Sequence, residues 1–344
     1  MLFRSLADVA RVELSVPEHL WKRYESALSS RITPLLFRRP RRRELWGFRE
    51  MRRLSREMLE FRPDIFHLQA DGVWESVLLR MIGPLPVINT IHDPVKHIDQ
   101  DNFLNNFLMR DAVQHARGWV VHSEAMKRIL LERFQMDPGR VLVHPHGSIT
   151  YYTGFAAQGH IQREKFILFY GSVRHNKGCD VLLRAFDSVK DRLDGWKVIV
   201  AGGGDDLKDY QGLLKGLGDR LEYRNRFIED DETADLFSRA GIVALPYRHG
   251  TQSGVLSIAA SFGCPVLSTR FGGMAELVQD RQQVLFVEPE SETALAQGLL
   301  ELAQDEVLRT ELGRNLKELS LRAWSWESIA QNTLQFYEQI LSLS

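Results

Sequence analysis

Apolar positions along the chain fall into two runs of regular alternation, separated by a stretch with neither period. In the first run, residues 63–69 (PDIFHLQ), 84–91 (PLPVINTI), 118–122 (GWVVH) and 140–144 are apolar segments of strand length. Between them, residues 73–81, 101–115 and 124–134 carry apolar side chains at helical spacing, the last behind a capping Ser123. The second run repeats this with strand-like segments at 165–170 (KFILFY), 196–201, 220–225, 241–245, 265–269 and 283–287. Helical segments at 179–193, 206–217, 231–240 and from 253 onward separate them, and amphipathic helices follow over 290–323 and 324–343. Such alternation predicts right-handed crossovers and parallel sheets, hence an α/β chain with two lobes. Residues 148–164 have no clear period and read as the linker.

The chain opens differently. Residues 1–10 read as the end of a helix and 11–16 (RVELSV) as a strand, whereas a doubly wound domain ordinarily starts with a buried strand and a tight loop. The expectation is therefore a first lobe lacking its N-terminal strand. Residues 31–62 hold eleven arginines against four glutamates. Leu45, Phe48, Met51, Leu54, Met58 and Phe61 recur at helical spacing there, with Arg49, Arg53 and Arg56 on the other face. This predicts an amphipathic helix with a solvated basic side. The run RRPRRR just ahead of it raises a second reading, peripheral contact of the Arg38–Arg56 region with an anionic membrane.

Composition narrows the classes. With 44 basic against 45 acidic residues in 344, the chain has no global basic excess and gives no argument for nucleic acid. Cys179 and Cys264 stand apart without metal spacing, which suits free thiols in a cytoplasmic protein. No apolar run reaches the roughly 18 residues of a membrane span.

In open α/β sheets ligands bind outside the carboxyl ends of the strands, and the candidate chemistry falls there. After the strand at 165–170 comes the loop GSVRHNKG, in which Arg174 and Lys177 are flanked by Gly171 and Gly178. Two cations on a glycine-hinged loop suit a diphosphate. After the strand at 241–245, a polar loop enters a helix at Ser253-Gly254, whose free N–H groups form a second anion site. The run AGGGDD at 201–206 lacks dinucleotide-fingerprint spacing, so nicotinamide cofactors are not expected. His92, beside Asp93 at a strand end, is a candidate substrate contact. His144 and His146 are read as shaping the loop into the linker. No Ser-His-Asp triad, cysteine nucleophile or metal-ligand set stands out, so no cofactor or metal is expected.

The segments FYGSVRHNKGCDVLLRAF, WKVIVAGGGDD, FIEDDETADLFSRAGIVALPY, TQSGVLSIAASFGCPV and FGGMAELVQDRQQVLFVEPES, in this order, resemble the donor-binding half of a retaining GT-B glycosyltransferase of family 4. FRPDIFHLQ, INTIHDP and VVHSEAMKRILLERF resemble the other half more loosely. The resemblance implies two Rossmann-like lobes, 1–150 on the acceptor side and 165–325 binding the donor, with a C-terminal helix at 326–344 crossing back to the first. It implies that Arg174, Lys177, Ser253, Gly254 and Val255 hold the diphosphate of a nucleotide-sugar, with Gly171 in the same loop. Gly203, Phe227 and Ile228 would line the base pocket, and His92 would lie near the transferred sugar. No protein nucleophile is implied: the acceptor hydroxyl attacks the face that the diphosphate leaves, and Arg and Lys stabilise the growing charge. The partners implied are the nucleotide-diphosphate sugar and a glycan or lipid-linked acceptor in surface polysaccharide synthesis.

Two departures accompany the resemblance. The family's paired glutamates fall here on Gly250 and Ile258, with Gln252 or His249 as substitutes for the first. The N-terminal strand with its glycine loop is missing. Both keep alive an alternative, a catalytically impaired nucleotide-sugar-binding or scaffold protein. A sugar epimerase of the same architecture is the third reading, disfavoured because no acid–base pair suits proton abstraction.

Overall fold

A computed structural model describes residues 2–69, 72–92, 103–156, 162–204, 210–250 and 252–343. The chain divides into two compact units, Met1–Pro145 with Trp326–Ser344, and His146–Ser325.

The first unit runs α1 (Leu2–Leu6), β1 (Glu13–Pro17), α2 (Glu18–Tyr24), β2 (Thr33–Phe37), α3 (Gly47–Glu60), β3 (Phe66–Leu68), α4 (Val73–Met81), β4 (Val87–Thr90), α5 (Phe103–His115), β5 (Gly118–Val121), α6 (Glu124–Phe134) and β6 (Val141–Val143). Strands β3, β4, β5 and β6 form a parallel sheet in that order. Parallel strands covered on both faces need apolar residues throughout, and β4 and β5 are buried at every position. Strand β1 pairs in parallel with β2 in a separate two-stranded sheet. Strand β2 corrects the sequence reading, which placed no strand between residues 31 and 62. Charge and proline hide it, because Leu35 is its one fully buried residue.

Helix α3 buries Met51, Leu54 and Met58, as its spacing dictates. Leu45 and Phe48, expected on the same stripe, are instead 80% and 50% exposed. Arg53, expected on the solvated face, turns back to donate to the carbonyl of Leu36 at 2.9 Å and to Glu50 and Glu57. Its aliphatic stem lets a nominally polar-face residue tie the helix to β2.

Helix α14 (Trp326–Ser342) belongs to this unit. Phe336 and Ile340 insert against Ile88 and Val120 of β4 and β5. Gly118 admits them, since a Cβ there would sit 2.9 Å from the Phe336 ring. Leu2 and Leu6 of α1 close over Ile329 and Ala330 of α14.

The second unit runs β7 (Glu164–Tyr170), α7 (Cys179–Val189), β8 (Lys197–Ala201), α8 (Gln211–Leu217), β9 (Leu221–Arg224), α9 (Asp230–Arg239), β10 (Ala240–Leu245), α10 (Gly254–Phe262), β11 (Val266–Thr269), α11 (Met274–Leu277), β12 (Leu285–Val287), α12 (Glu292–Gln304) and α13 (Glu306–Ala323). Its parallel sheet has the order β12-β11-β10-β7-β8-β9. One face is covered by α7 and α12, the other by α9, α10 and α13. The sheet grows outward from β7 through β8 and β9, then resumes on the other side of β7 with β10. The order therefore switches between β7 and β10, and in open α/β sheets such a switch point, outside the carboxyl ends of the strands, is where a ligand crevice is expected.

The stretch at 148–164, expected as a linker, is partly built into this unit. Residues Thr150–Phe155 form a 3₁₀ turn, with Ile149 and Tyr152 against the core. Arg163 donates to the carbonyls of Phe237 and Phe262, both at 2.6 Å, so one guanidinium serves the carboxyl ends of α9 and α10.

Phe336 is the largest buried side chain of α14. Phe336→Ala is expected to destabilise the first unit by about 3–5 kcal/mol, the usual cost of emptying a buried aromatic site. Denaturant unfolding followed by hydrogen–deuterium exchange of β4 and β5 would read it, and an unchanged midpoint would contradict the account.

Candidate functional site

The crevice after β7 and β10 is bounded by three loops that lean on one another through glycines. Gly178 ends the loop after β7 at φ +65°, and a Cβ there would lie 2.0 Å from the carbonyl oxygen of Pro246 in the loop after β10. Gly202, after β8, is at φ +148°, and its Cβ would lie 1.9 Å from the carbonyl oxygen of Gly171. An L side chain fits neither position, so these contacts fix how closely the loops approach. Backbone bonds reinforce them: Gly171 donates to Ala201 at 2.9 Å and Val173 to Gly203 at 3.0 Å.

Within this frame Lys177 lies with its ammonium 3.8 Å from the centre of the Tyr247 ring. Burial first, and then the charge of Arg174, bring Lys177 down to about 8. Its charge is thus held in place by a ring face but is in balance with the neutral amine in mildly alkaline solution. The Tyr247 hydroxyl is 3.2 Å from Ser253 Oγ. Ser253 caps α10 by accepting from the N–H of Leu256 at 3.3 Å, and it is buried while Gly254 is exposed. Lys177, Tyr247 and Ser253 therefore form one connected row, from the loop after β7 to the start of α10.

The structure places the remaining sequence candidates as follows. Arg174 is exposed on the same loop, and Val255 Cγ2 would be 3.8 Å from a Cβ on Gly171, which puts the start of α10 beside the β7 loop. Gly203 is exposed after β8, and Gln252 is half-buried just before Ser253. Phe227 is 62% exposed, but the Ile228 side chain is in the hydrophobic core, so Ile228 can meet a ligand only through its backbone. Ile258 is likewise a core residue at 5% exposure. Asp93 and Thr251 lie outside the described residues.

His92 is on the first unit and exposed. It is one of a row that the sequence reading did not assemble. His67 in β3, His92 past β4, His122 past β5 and His144 past β6 all stand at the carboxyl edge of one sheet. His122 Nε2 is 3.2 Å from His92 Nδ1, and His67 is hydrogen-bonded to Tyr337 of α14 and, at 2.7 Å, to Thr90. Burial, followed by the charges of His144 and His92, pushes His67 down to about 3, so it stays neutral. The signal was present in the sequence as a histidine at or just past each strand. No local motif marks Tyr247, Arg248 or Asp180, whose partners lie far away in the chain. Among the described residues, no group of three His, Cys, Asp or Glu side chains is disposed to hold a metal ion.

Comparison with known proteins bears on both units. Residues 5–149 match the family model "Glycosyltransferase Family 4", and residues 164–305 match "Glycosyl transferases group 1". A D-inositol 3-phosphate glycosyltransferase of Corynebacterium glutamicum is 26% identical over 294 residues, covering 77% of this chain and 69% of its own. An uncharacterised glycosyltransferase of Methanocaldococcus jannaschii is 28% identical over 180 residues, 51% of this chain and 45% of its own length. The chain thus spans under half of that relative. Among solved structures, Anabaena HepE in complex with UDP and glucose aligns with a TM-score of 0.75 at 14% identity, covering 98% of this chain and 95% of that one. A glycosyltransferase of Rickettsia africae aligns at 0.72 and 16% identity, over 100% and 94% of the two chains. At such identities the structures speak for the fold alone, two Rossmann-like domains of the GT-B type. The chain thus carries a Glycosyltransferase Family 4 domain over residues 5–149 and a Glycosyl transferases group 1 domain over residues 164–305.

Proposed function

We propose that the protein transfers a sugar, with retention, from a nucleotide-diphosphate sugar to a glycan or lipid-linked acceptor. The observation that carries this reading is the row Lys177–Tyr247–Ser253 at the sheet's switch point, with Arg174 on the same loop. It supplies two cations and a helix start to one crevice, the donor set that a diphosphate leaving group requires. Arg174 and Lys177 stabilise the charge that grows on the departing diphosphate. Ser253, Gly254 and Val255 hold its oxygens through backbone donors, while Gly171, whose own N–H is taken by the Ala201 carbonyl, sets how closely the loop approaches. The Gly203 turn and the backbone at Phe227-Ile228 take the base. His92 is assigned to the transferred sugar on the family resemblance alone, and Gln252 to the place of the first missing glutamate. The reaction needs no metal in this reading, because the two cations take the role that a divalent ion fills elsewhere.

The acceptor class is supported by the names of relatives. They include a GDP-mannose-dependent phosphatidylinositol monomannoside mannosyltransferase of Mycobacterium tuberculosis and a Campylobacter jejuni enzyme acting on an undecaprenol-linked glycan. A lipid-linked acceptor would bring the protein to a membrane surface. No helix among the described residues is long and apolar enough to cross one. Leu45, Trp46 and Phe48 are exposed, Arg38 lies over the Trp46 ring, and Arg41, Arg42 and Arg43 are exposed a few residues earlier in the chain, a combination of apolar and basic side chains that suits anionic lipid.

Two outcomes test this reading. A thermal-shift panel of UDP, GDP, ADP and their sugar conjugates should show one base stabilising the wild type, by ~2.7 kcal/mol at a hundredfold excess over Kd. The shift should vanish in Arg174→Ala/Lys177→Ala, whereas flat curves for the wild type would move the non-catalytic alternative ahead. For the surface, the protein should sediment with phosphatidylglycerol vesicles and detach at high salt, each basic residue near the lipid being worth about 1 kcal/mol. Equal recovery of Arg41→Glu/Arg42→Glu/Arg43→Glu would end the membrane assignment.

A further inference from the structure

Arg248 follows Tyr247 in the loop after β10, and Asp180 sits in the first turn of α7, 68 residues earlier in the chain. The guanidinium donates to both carboxylate oxygens, Nη1 to Oδ1 at 2.8 Å and Nη2 to Oδ2 at 2.7 Å. Both side chains are withdrawn from solvent, at 8% and 7% exposure. The same residue holds the β7 loop twice more: Nη1 donates to the carbonyl of His175 at 2.6 Å, and the backbone N–H to the carbonyl of Asn176 at 3.0 Å. Those two carbonyls lie between Arg174 and Lys177. Asp180 is held from its own helix as well, by Arg184 at 2.8 Å, and Arg184 in turn reaches Glu292 of α12. Burial pushes the Asp180 carboxyl up, but the hydrogen bonds from Arg248 and Arg184 outweigh it and bring it down to about 2.

The fold itself has little use for this pair. Strands β7 and β10 are already joined by their own ladder, and a buried ion pair is seldom more stabilising than apolar residues of equal volume. What the pair adds is direction. A bidentate guanidinium fixes distance and orientation together, and here it does so between two loops that extend beyond the strand ends.

We propose that Asp180 and Arg248 are positioning residues of the donor site, setting the separation between the cation-bearing loop at 174–177 and the Ser253 cap of α10. Neither residue touches the ligand. Arg248 acts by holding the His175 and Asn176 carbonyls, which fixes where Arg174 and Lys177 point, and Asp180 acts by holding Arg248. The proposal rests on the donor-site reading above.

The test uses Arg248→Lys and Asp180→Asn in the full chain, with melting curves to show that each variant folds. Affinities are measured for UDP, GDP and ADP and for the corresponding nucleosides. Hydrogen–deuterium exchange is followed over 172–178 and 246–253 without ligand. The expected result is a loss of at least about tenfold in diphosphate affinity, the size of one misaligned charge-assisted hydrogen bond. Nucleoside affinity should stay unchanged, and both loop segments should exchange faster while β7 and β10 do not. A purely structural pair would lower the melting temperature and leave the ratio of diphosphate to nucleoside affinity where it was. Folded variants that bind the diphosphate as the wild type does, or that show unaltered loop exchange, overturn the proposal alone. A wild type that binds none of the three diphosphates overturns the donor-site reading and the proposal with it.

Discussion

A parallel sheet buried on both faces has no open side for a ligand, only the ends of its strands. In the six-stranded sheet the backbone contacts that set those ends include two that no side chain could occupy. Gly178 meets the Pro246 carbonyl and Gly202 meets the Gly171 carbonyl, each with less than 2.5 Å of space where a Cβ would stand. These contacts draw the loops after β7, β8 and β10 together, and the rest of the site follows from that approach. Lys177 reaches Tyr247 because the loops touch, Tyr247 reaches Ser253 along its own loop, and Arg248 spans back to Asp180. Charge is thereby stored in the crevice in two forms. The Asp180–Arg248 pair is neutralised internally, whereas Lys177 faces a ring and a neighbouring cation instead of a carboxylate, which makes it the group whose charge responds to an incoming anion.

The first unit presents a different edge. Its four-stranded sheet ends in histidines, of which His67 is neutral and hydrogen-bonded to Tyr337 and Thr90. Because Tyr337 belongs to α14, the helix that seals the sheet also orients the polar row at its edge. The same helix buries Phe336 and Ile340 against β4 and β5, so packing and site geometry in this unit share one element.

Much of the fold was legible because the parallel strands are apolar throughout and the helices between them keep a clean period. Helices α4 and α6 begin and end where spacing and the Ser123 cap put them. Strand β2 was not legible, since TPLLF lies among arginines and prolines and buries a single leucine. Arg53 was misread for a related reason: period places a Cα on a face, but a long side chain can return to the backbone of a neighbouring strand. In the site, the glycine loop with Arg174 and Lys177 and the Ser253 cap were visible as local motifs. Tyr247, Arg248 and Asp180 were not, because their importance comes from contacts across roughly seventy residues, and only the fold creates that proximity. Ile228 shows the converse, a residue in a motif whose side chain the core claims.

The central claim is that Lys177 meets a diphosphate at the crevice, and proton uptake on binding tests it most directly. Burial and the charge of Arg174 bring Lys177 down to about 8, so at pH 8.5 most molecules carry the neutral amine. A bound diphosphate favours the charged form and raises that value, so binding must draw in a proton. Calorimetry of the stabilising nucleoside diphosphate in buffers of different ionisation enthalpy should show uptake of more than about half a proton at pH 8.5, no uptake at pH 6.5, where the amine is already charged, and none at pH 8.5 in Lys177→Met. Binding at pH 8.5 with no proton uptake, or with the same uptake in Lys177→Met, would contradict it.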